Sequence, residues 1–258
     1  MKKRLLVIFS ILIVVAIIVV LGSTVFTLQT AEILLYDEEG SQILDTSGVD
    51  ASELISDFKG KNIFFLPESE IIESIHSNQQ YSSWKVIEIE KMFPNSMILK
   101  LTKRSSIFFL SKGGVNYAVD VDGYVIGLIQ GDYSRYIDIS PLADSVNDVT
   151  IASTLSWKNE TAEQNFEIIK NMTKTIWELT YNFDQIYTLL DSYQISSGIL
   201  TLNTQTGAVI VINEADINLH DKLVSAYGVY SNKTIDMTGA GVTITVNSDG
   251  SIKTTNNN

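Results

Sequence analysis

Two histidines, His76 and His220, are the only side chains in this 258-residue chain with an unperturbed proton equilibrium near neutral pH, and cysteine is absent. His76 falls near the end of one predicted helix and His220 begins another. Neither has a second histidine or a cysteine at ligand spacing, which excludes the usual zinc sites. Counting residues leaves a Ser-His-Asp triad open, but no Gly-x-Ser-x-Gly stands in the chain and no serine lies on a recognisable nucleophile elbow. Asp120-Val121-Asp122-Gly123 starts like a calcium loop. In an EF-hand, however, glycine is sixth and glutamate twelfth, whereas here glycine is fourth and Gly131 is twelfth. A tight turn is the better reading. Glycines are scattered and form no phosphate cradle. Asn159, Asn171 and Asn232 each begin an Asn-x-Thr triplet, which has meaning only in a eukaryotic secretory pathway. The chain therefore reads as non-enzymatic, with no catalytic residue, no metal ligand and no cofactor.

The elements that would position any site follow from periodicity. Ala31 to Tyr36 reads as a strand. Ser47 to Phe58 reads as a helix capped by Ser47 or Asp50, with Val49, Leu54, Ile55 and Phe58 on one face and Gly60 as its stop. A second helix opens at Pro67-Glu68-Ser69-Glu70, with proline in its first turn and acids at its positive end; Ile71, Ile72 and Ile75 face inward. Strands follow at Trp84–Glu90 and Met97–Thr102, joined by a turn at Phe93-Pro94-Asn95-Ser96. From Ser105 the pattern changes to short strands at Ile107–Leu110, Tyr117–Val121 and Tyr124–Ile129, separated by Lys112-Gly113-Gly114 and Asp122-Gly123. A long helix fits Thr161 to Tyr181, with a core stripe of Phe166, Ile169, Met172, Ile176, Leu179 and Phe183. A hairpin at Gly198–Asn203 and Ala208–Asn213, a helix at Asn218–Tyr230 and a strand at Val242–Val246 complete the pattern, and the polar Ser248–Asn258 tail reads as disordered.

The N-terminus sets the compartment. Lys2, Lys3 and Arg4 precede a charge-free run from Leu5 to Ala31. As a helix, the 24 residues Leu5–Leu28 would reach about 36 Å, enough to cross a bilayer. The expectation is a cytoplasmic tail at residues 1–4, a single transmembrane helix at 5–28, and everything beyond it outside the cytoplasm. A cleaved signal peptide is the competing reading, disfavoured by the length of the run and by Gly22-Ser23-Thr24 lying within it. The remainder carries 15 basic and 30 acidic residues. Such a surface repels nucleic acid, so a nucleic-acid partner is not expected. Without disulfides, the exported part must be held together by its cores alone.

Several runs stand in a suggestive order: Phe58-Lys59-Gly60-Lys61-Asn62-Ile63-Phe64, Trp84-Lys85-Val86, Phe93-Pro94-Asn95-Ser96-Met97, Leu101-Thr102-Lys103-Arg104 and Tyr117–Val125. Ile199–Leu202, Gly207-Ala208-Val209, Asp221-Lys222-Leu223 and Thr234-Ile235-Asp236 follow. Together they resemble the FtsQ/DivIB family of bacterial cell-division proteins. The chain departs from that pattern at Lys103, where glutamate is usual, and at Ser106, where proline is usual. The resemblance implies an α+β chain: a POTRA domain of two helices on a three-stranded sheet over residues 31–104, then a β-rich domain with a long helix over 105–247. It implies a divisome scaffold that spans the cell membrane once, works at the division septum, and binds FtsL-like and DivIC/FtsB-like single-pass proteins outside the membrane, with no small-molecule substrate. Carried over by position, the partner-binding residues are Lys222, Leu223, Ala226, Tyr227 and Tyr230 on a helix and Val242, Thr243, Ile244, Thr245 and Val246 on the last strand, which reads either as an open edge strand or as a strand covered by the Ser248–Asn258 tail. The competing functions are a surface enzyme or adhesin and a POTRA protein of an export system. Against them stand the lack of a polar catalytic cluster, of repeats and of further POTRA units.

Overall fold

The fold is seen in a computed structural model that describes residues 9, 11–16, 25–37, 40–44, 49–180, 189–235 and 241–256. The chain divides into two units, residues 1–105 with 151–153, and residues 106–150 with 154–258. Both are mixed α+β.

In the first unit, β1 (Thr30–Tyr36) runs parallel to β4 (Ser96–Lys103), from Thr30 opposite Ser96 to Tyr36 opposite Thr102. β3 (Trp84–Met92) pairs antiparallel with the other side of β4, and the two-residue β2 (Gln42–Ile43) pairs with the end of β1. The sheet is thus four-stranded, in the order β2-β1-β4-β3, where three strands were expected. The extra strand has only two residues, too few for a period of two to register in the sequence. Period-two patterning decides which face is buried: Met97, Leu99 and Leu101 of β4 are inside, while Ile98, Lys100 and Thr102 are half-exposed. Lys100 lies 2.9 Å from Glu88 and 2.5 Å from Glu90 across the strand pair.

Helical segments complete this unit. The first expected helix is shorter than its apolar face suggested. α1 is Ala51–Leu54, capped by Asp50, whose carboxylate accepts from the Ser52 N–H at 2.8 Å, and a 3₁₀ turn follows at Ser56–Phe58. α2 is Glu68–Ser77, entered through Pro67, with Ile71 and Ile75 buried. Leu54, Ile55, Phe58, Ile63, Ile71 and Ile75 share one core with Leu35, Leu99 and Leu101 of the sheet.

The expected transmembrane helix over 5–28 is corrected here. Among the described residues no helix is long and apolar enough to cross a membrane. Residue 9 and residues 11–16 are helical; 1–8, 10 and 17–24 lie outside the described residues. At the other end of the expected span the chain has already joined the first unit. Thr27 bridges to Asn62, Leu28 donates its N–H to the Lys61 carbonyl at 2.9 Å, and the Leu28 side chain is completely buried in the core. The last residues of the apolar run are therefore part of the core of the first unit.

In the second unit, β5 (Phe108–Lys112), β6 (Val115–Val119), β7 (Val125–Leu128) and the two-residue β8 (Ile137–Asp138) form a sheet ordered β7-β6-β5-β8. Gly113 and Gly114, at φ +60° and +79°, make the tight turn between β5 and β6, a conformation that side chains with a Cβ resist. α3 (Glu160–Thr180) is capped by Asn159, whose side-chain oxygen accepts from the Ala162 N–H at 2.9 Å. Its stripe is as expected at Phe166, Ile169, Met172 and Ile176, all buried; Leu179 is only half-buried, and Phe183 lies outside the described residues.

The second sheet of this unit holds β9 (Leu190–Ser196), β10 (Ile199–Thr204), β11 (Val209–Ile212), β12 (Val242–Val246) and β13 (Ile252–Asn256), in the order β13-β12-β11-β10-β9. α4 (Leu219–Ile235) packs on β11, β12 and α3. The tail expected to be disordered from Ser248 onward contains β13. Ser248-Asp249-Gly250 closes a hairpin with Gly250 at φ +82°, and that turn brings a run of β-forming threonines back along β12.

Candidate functional site

The residues with the most chemical potential are spent on structure. His76 Nε2 accepts from the Val86 N–H at 3.4 Å. Burial first, then the charges of Arg104 and Lys85, push its pKa from the ordinary 6.5 down to about 4, so at neutral pH it is an uncharged backbone acceptor. His220 is its opposite. Exposed on α4, it has Nδ1 3.0 Å from Asp221 and Nε2 3.4 Å from Glu178 of α3. The hydrogen bond to Asp221, then the charges of Asp221 and Glu178, raise its pKa. Both ring nitrogens thus point at carboxylates. The Glu178 contact ties the first turn of α4 to α3.

Asp120 closes a turn rather than holding a cation. One carboxylate oxygen accepts from the N–H groups of Asp122 and Tyr124, each at 2.9 Å, and the Gly123 N–H bonds the Asp120 carbonyl at 3.0 Å. Among the described residues no group of three His, Asp or Glu side chains converges at metal-holding distance, and no buried side-chain nitrogen or oxygen lacks a partner.

What remains is main-chain chemistry at sheet edges. Natural edges are blunted by shortness, bulges and charge. β2 and β8 have two residues each, and β7 has four, one of them Gly127. β3 carries a register shift between Val86 and Glu88 and four charged residues, Lys85, Glu88, Glu90 and Lys91. The β9 ladder shifts at Asn203/Thr204, and β9 bears Asp191. β13 has none of these protections beyond Lys253. Its five residues pair with β12 without a shift, and all five are exposed.

The ladder fixes which β13 groups are free. The Asn247 N–H donates to the Ser251 carbonyl at 2.9 Å, and on the other side of β12 the Asn213 N–H donates to the Val246 carbonyl at 3.0 Å. Alternation then assigns the bonded pairs to Thr245–Lys253 and Thr243–Thr255, and turns the backbone groups of Ile252, Thr254 and Asn256 toward the open edge.

No protein-family model matches the sequence, and no curated protein matches it.

The ten residues assigned to partner binding gather in one place, but mostly as packing. Lys222, Leu223, Ala226 and Tyr230 are buried on the inner side of α4, and Tyr227 is half-buried beside Tyr230 at a ring separation of 6.1 Å. Lys222 was expected to meet an acidic partner residue. Its ammonium instead donates to the Asn213 and Glu214 carbonyls, each at 2.9 Å, from a side chain only 5% exposed. Val242, Ile244 and Val246 are buried, and Thr243 and Thr245 are half-exposed. Val242–Val246 is not an edge strand: β11 covers one side and β13 the other. The strand at Ile252–Asn256 was not expected from the sequence. Ser248-Asp249-Gly250 between two β-prone runs is a hairpin signal that points to it.

Proposed function

We propose that this chain is a non-enzymatic scaffold that captures an extended partner segment by strand addition at the open edge of β13. The observation that carries the reading is that edge: five exposed residues, one charge, no bulge, and three backbone positions turned outward. Strand addition draws affinity from main-chain hydrogen bonds and needs no catalytic group. The helix and strand residues assigned from the likeness serve it indirectly. Leu223, Ala226 and Tyr230 under the sheet, and Val242, Ile244 and Val246 within it, hold β12 rigid so that β13 presents a straight edge.

The likeness to FtsQ/DivIB proteins supports a role for the segment's source. In this reading the partners are FtsL-like and DivIC/FtsB-like division proteins, met outside the cytoplasm at the cell membrane, and the chain helps regulate septal wall synthesis. No nucleic acid, cofactor or small-molecule substrate takes part. The test is a fluorescent fusion of the full chain in its source cell, combined with co-purification. Collection at midcell together with recovery of the FtsL-like and DivIC-like proteins is expected. Uniform distribution with neither protein recovered overturns the reading.

A further inference from the structure

One end of the first unit carries an apolar patch that packing leaves exposed. Phe64 stacks on Phe93 with ring centres 4.3 Å apart, and Phe26 meets Phe64 edge-on at 4.9 Å. Phe64 and Phe93 are each about half exposed, at 52% and 53%, and Phe65 beside them is 84% exposed. Met92 and Val25 extend the patch and are also exposed. The backbone makes this cluster a single structure. The Ile63 N–H donates to the Phe26 carbonyl at 2.8 Å, and the Gln29 N–H donates to the Asn95 carbonyl at 2.8 Å, so the entering chain, the 62–65 turn and the β3–β4 turn meet at the start of β1. Single exposed apolar side chains are ordinary; a stacked and contiguous aromatic group is not.

Two observations bear on what covers it. The patch sits where the uncharged, aliphatic stretch Leu5–Thr24 runs into the folded unit, because Val25 and Phe26 are the next residues in the chain. The charge around it does not suit a strongly basic or acidic protein surface. Lys59, Lys61 and Lys91 lie within a few residues of the phenylalanines, but Lys61 is 3.6 Å from Glu70 and the Lys91 ammonium donates to the Leu66 carbonyl at 2.7 Å. Aromatic side chains with lysine stems beside them suit the boundary between headgroups and acyl chains.

We propose that this end of the first unit lies against a lipid bilayer, with Phe64, Phe65, Met92 and Phe93 seated among the headgroups. The contact is apolar, so it does not require anionic lipid. It fixes the orientation of the unit: β1 begins at the surface and, at about 3.3 Å per residue, carries Tyr36 and the neighbouring β2 roughly 20 Å away from it. The contact is independent of whether the β13 edge captures a partner.

The absence of cysteine allows a direct test. Phe65→Cys and Leu44→Cys are each made in the full chain, labelled with a nitroxide, and reconstituted in phosphatidylcholine vesicles. Leu44 is 91% exposed and follows β2, at the far end of β1, so it serves as an equally exposed control on the same unit. The expected result is a label at 65 severalfold more accessible to oxygen than to an aqueous nickel chelate, with the reverse at 44. Equal, water-like accessibility at both sites overturns the proposal. A label at 65 that is immobilised equally in detergent and in vesicles, with spin–spin broadening, also overturns it, by assigning the patch to a second copy of the chain.

Discussion

At the scale of single residues, the side chains of highest chemical potential report on stability. Lys222 satisfies two main-chain carbonyls from a buried position. Lys222→Met keeps most of the stem but strands both acceptors, so a loss of about 2 kcal/mol is expected, read as a lower urea midpoint. Gly123 has a backbone at φ +84°, and a Cβ there would stand 2.9 Å from Cε1 of the buried Phe166 ring. Gly123→Ala therefore combines an unfavourable conformation with a clash, and a cost of about 2 kcal/mol or more is expected in the same measurement. His76 makes a pH-dependent contribution. Its folded pKa of about 4 lies below the ordinary 6.5, so the unfolded chain takes up the proton first as pH falls. The His76 contribution is intact above about pH 6.5, is lost progressively down to about pH 4, and has nothing further to lose below that. Comparing urea midpoints at pH 7 and pH 4.5, wild type should lose about 1 kcal/mol more than His76→Gln, the half-exposed site reducing the effect through solvent screening.

At the scale of elements, β13 bears the functional claim and the sequence shows why it is easily missed. Thr30–Tyr36, Ser96–Lys103 and the α3 stripe were legible because each buries one face, and burial imposes a period. β13 buries nothing, so Ile252-Lys253-Thr254-Thr255-Asn256 carries no period and reads as a polar tail. β9 was missed for a related reason: Leu190, Tyr193 and Ile195 are only half-buried, and the spacing from Leu190 to Tyr193 breaks the alternation. The transmembrane expectation failed because apolar character does not separate lipid-facing from core-facing residues: Leu28, counted in the expected span, is core. The same logic explains the partner residues assigned by position. Leu223, Ala226, Tyr230 and Val242 have the character of an interface, but the sheet and helix already bury them against one another. Two substitutions one residue apart separate the roles of the strand. Thr254→Pro removes an outward N–H and should leave the β12 pairing in place. Thr255→Pro removes a donor toward Thr243 and should detach the end of β13, seen as faster amide exchange at Thr243 and Thr245.

At the scale of the whole molecule, the described residues show little site chemistry, a core in each unit and, at β13, a sheet edge with neither bulge nor shortening. The first unit carries an apolar end fitted to a lipid surface, and the second presents the edge. Each role is assigned within one unit, so each is tested without disturbing the other. The central claim is that the open side of β13 accepts a partner strand. It is tested most directly by co-purifying the FtsL-like and DivIC-like partners with the full chain, with Thr254→Pro, and with a chain ending at Asn247. One edge hydrogen bond contributes about 1 kcal/mol, so Thr254→Pro should reduce capture about fivefold with an unchanged unfolding midpoint, and the shortened chain should lose capture altogether. Capture undiminished by Thr254→Pro and by the removal of β13 would contradict the account and place the partner surface elsewhere.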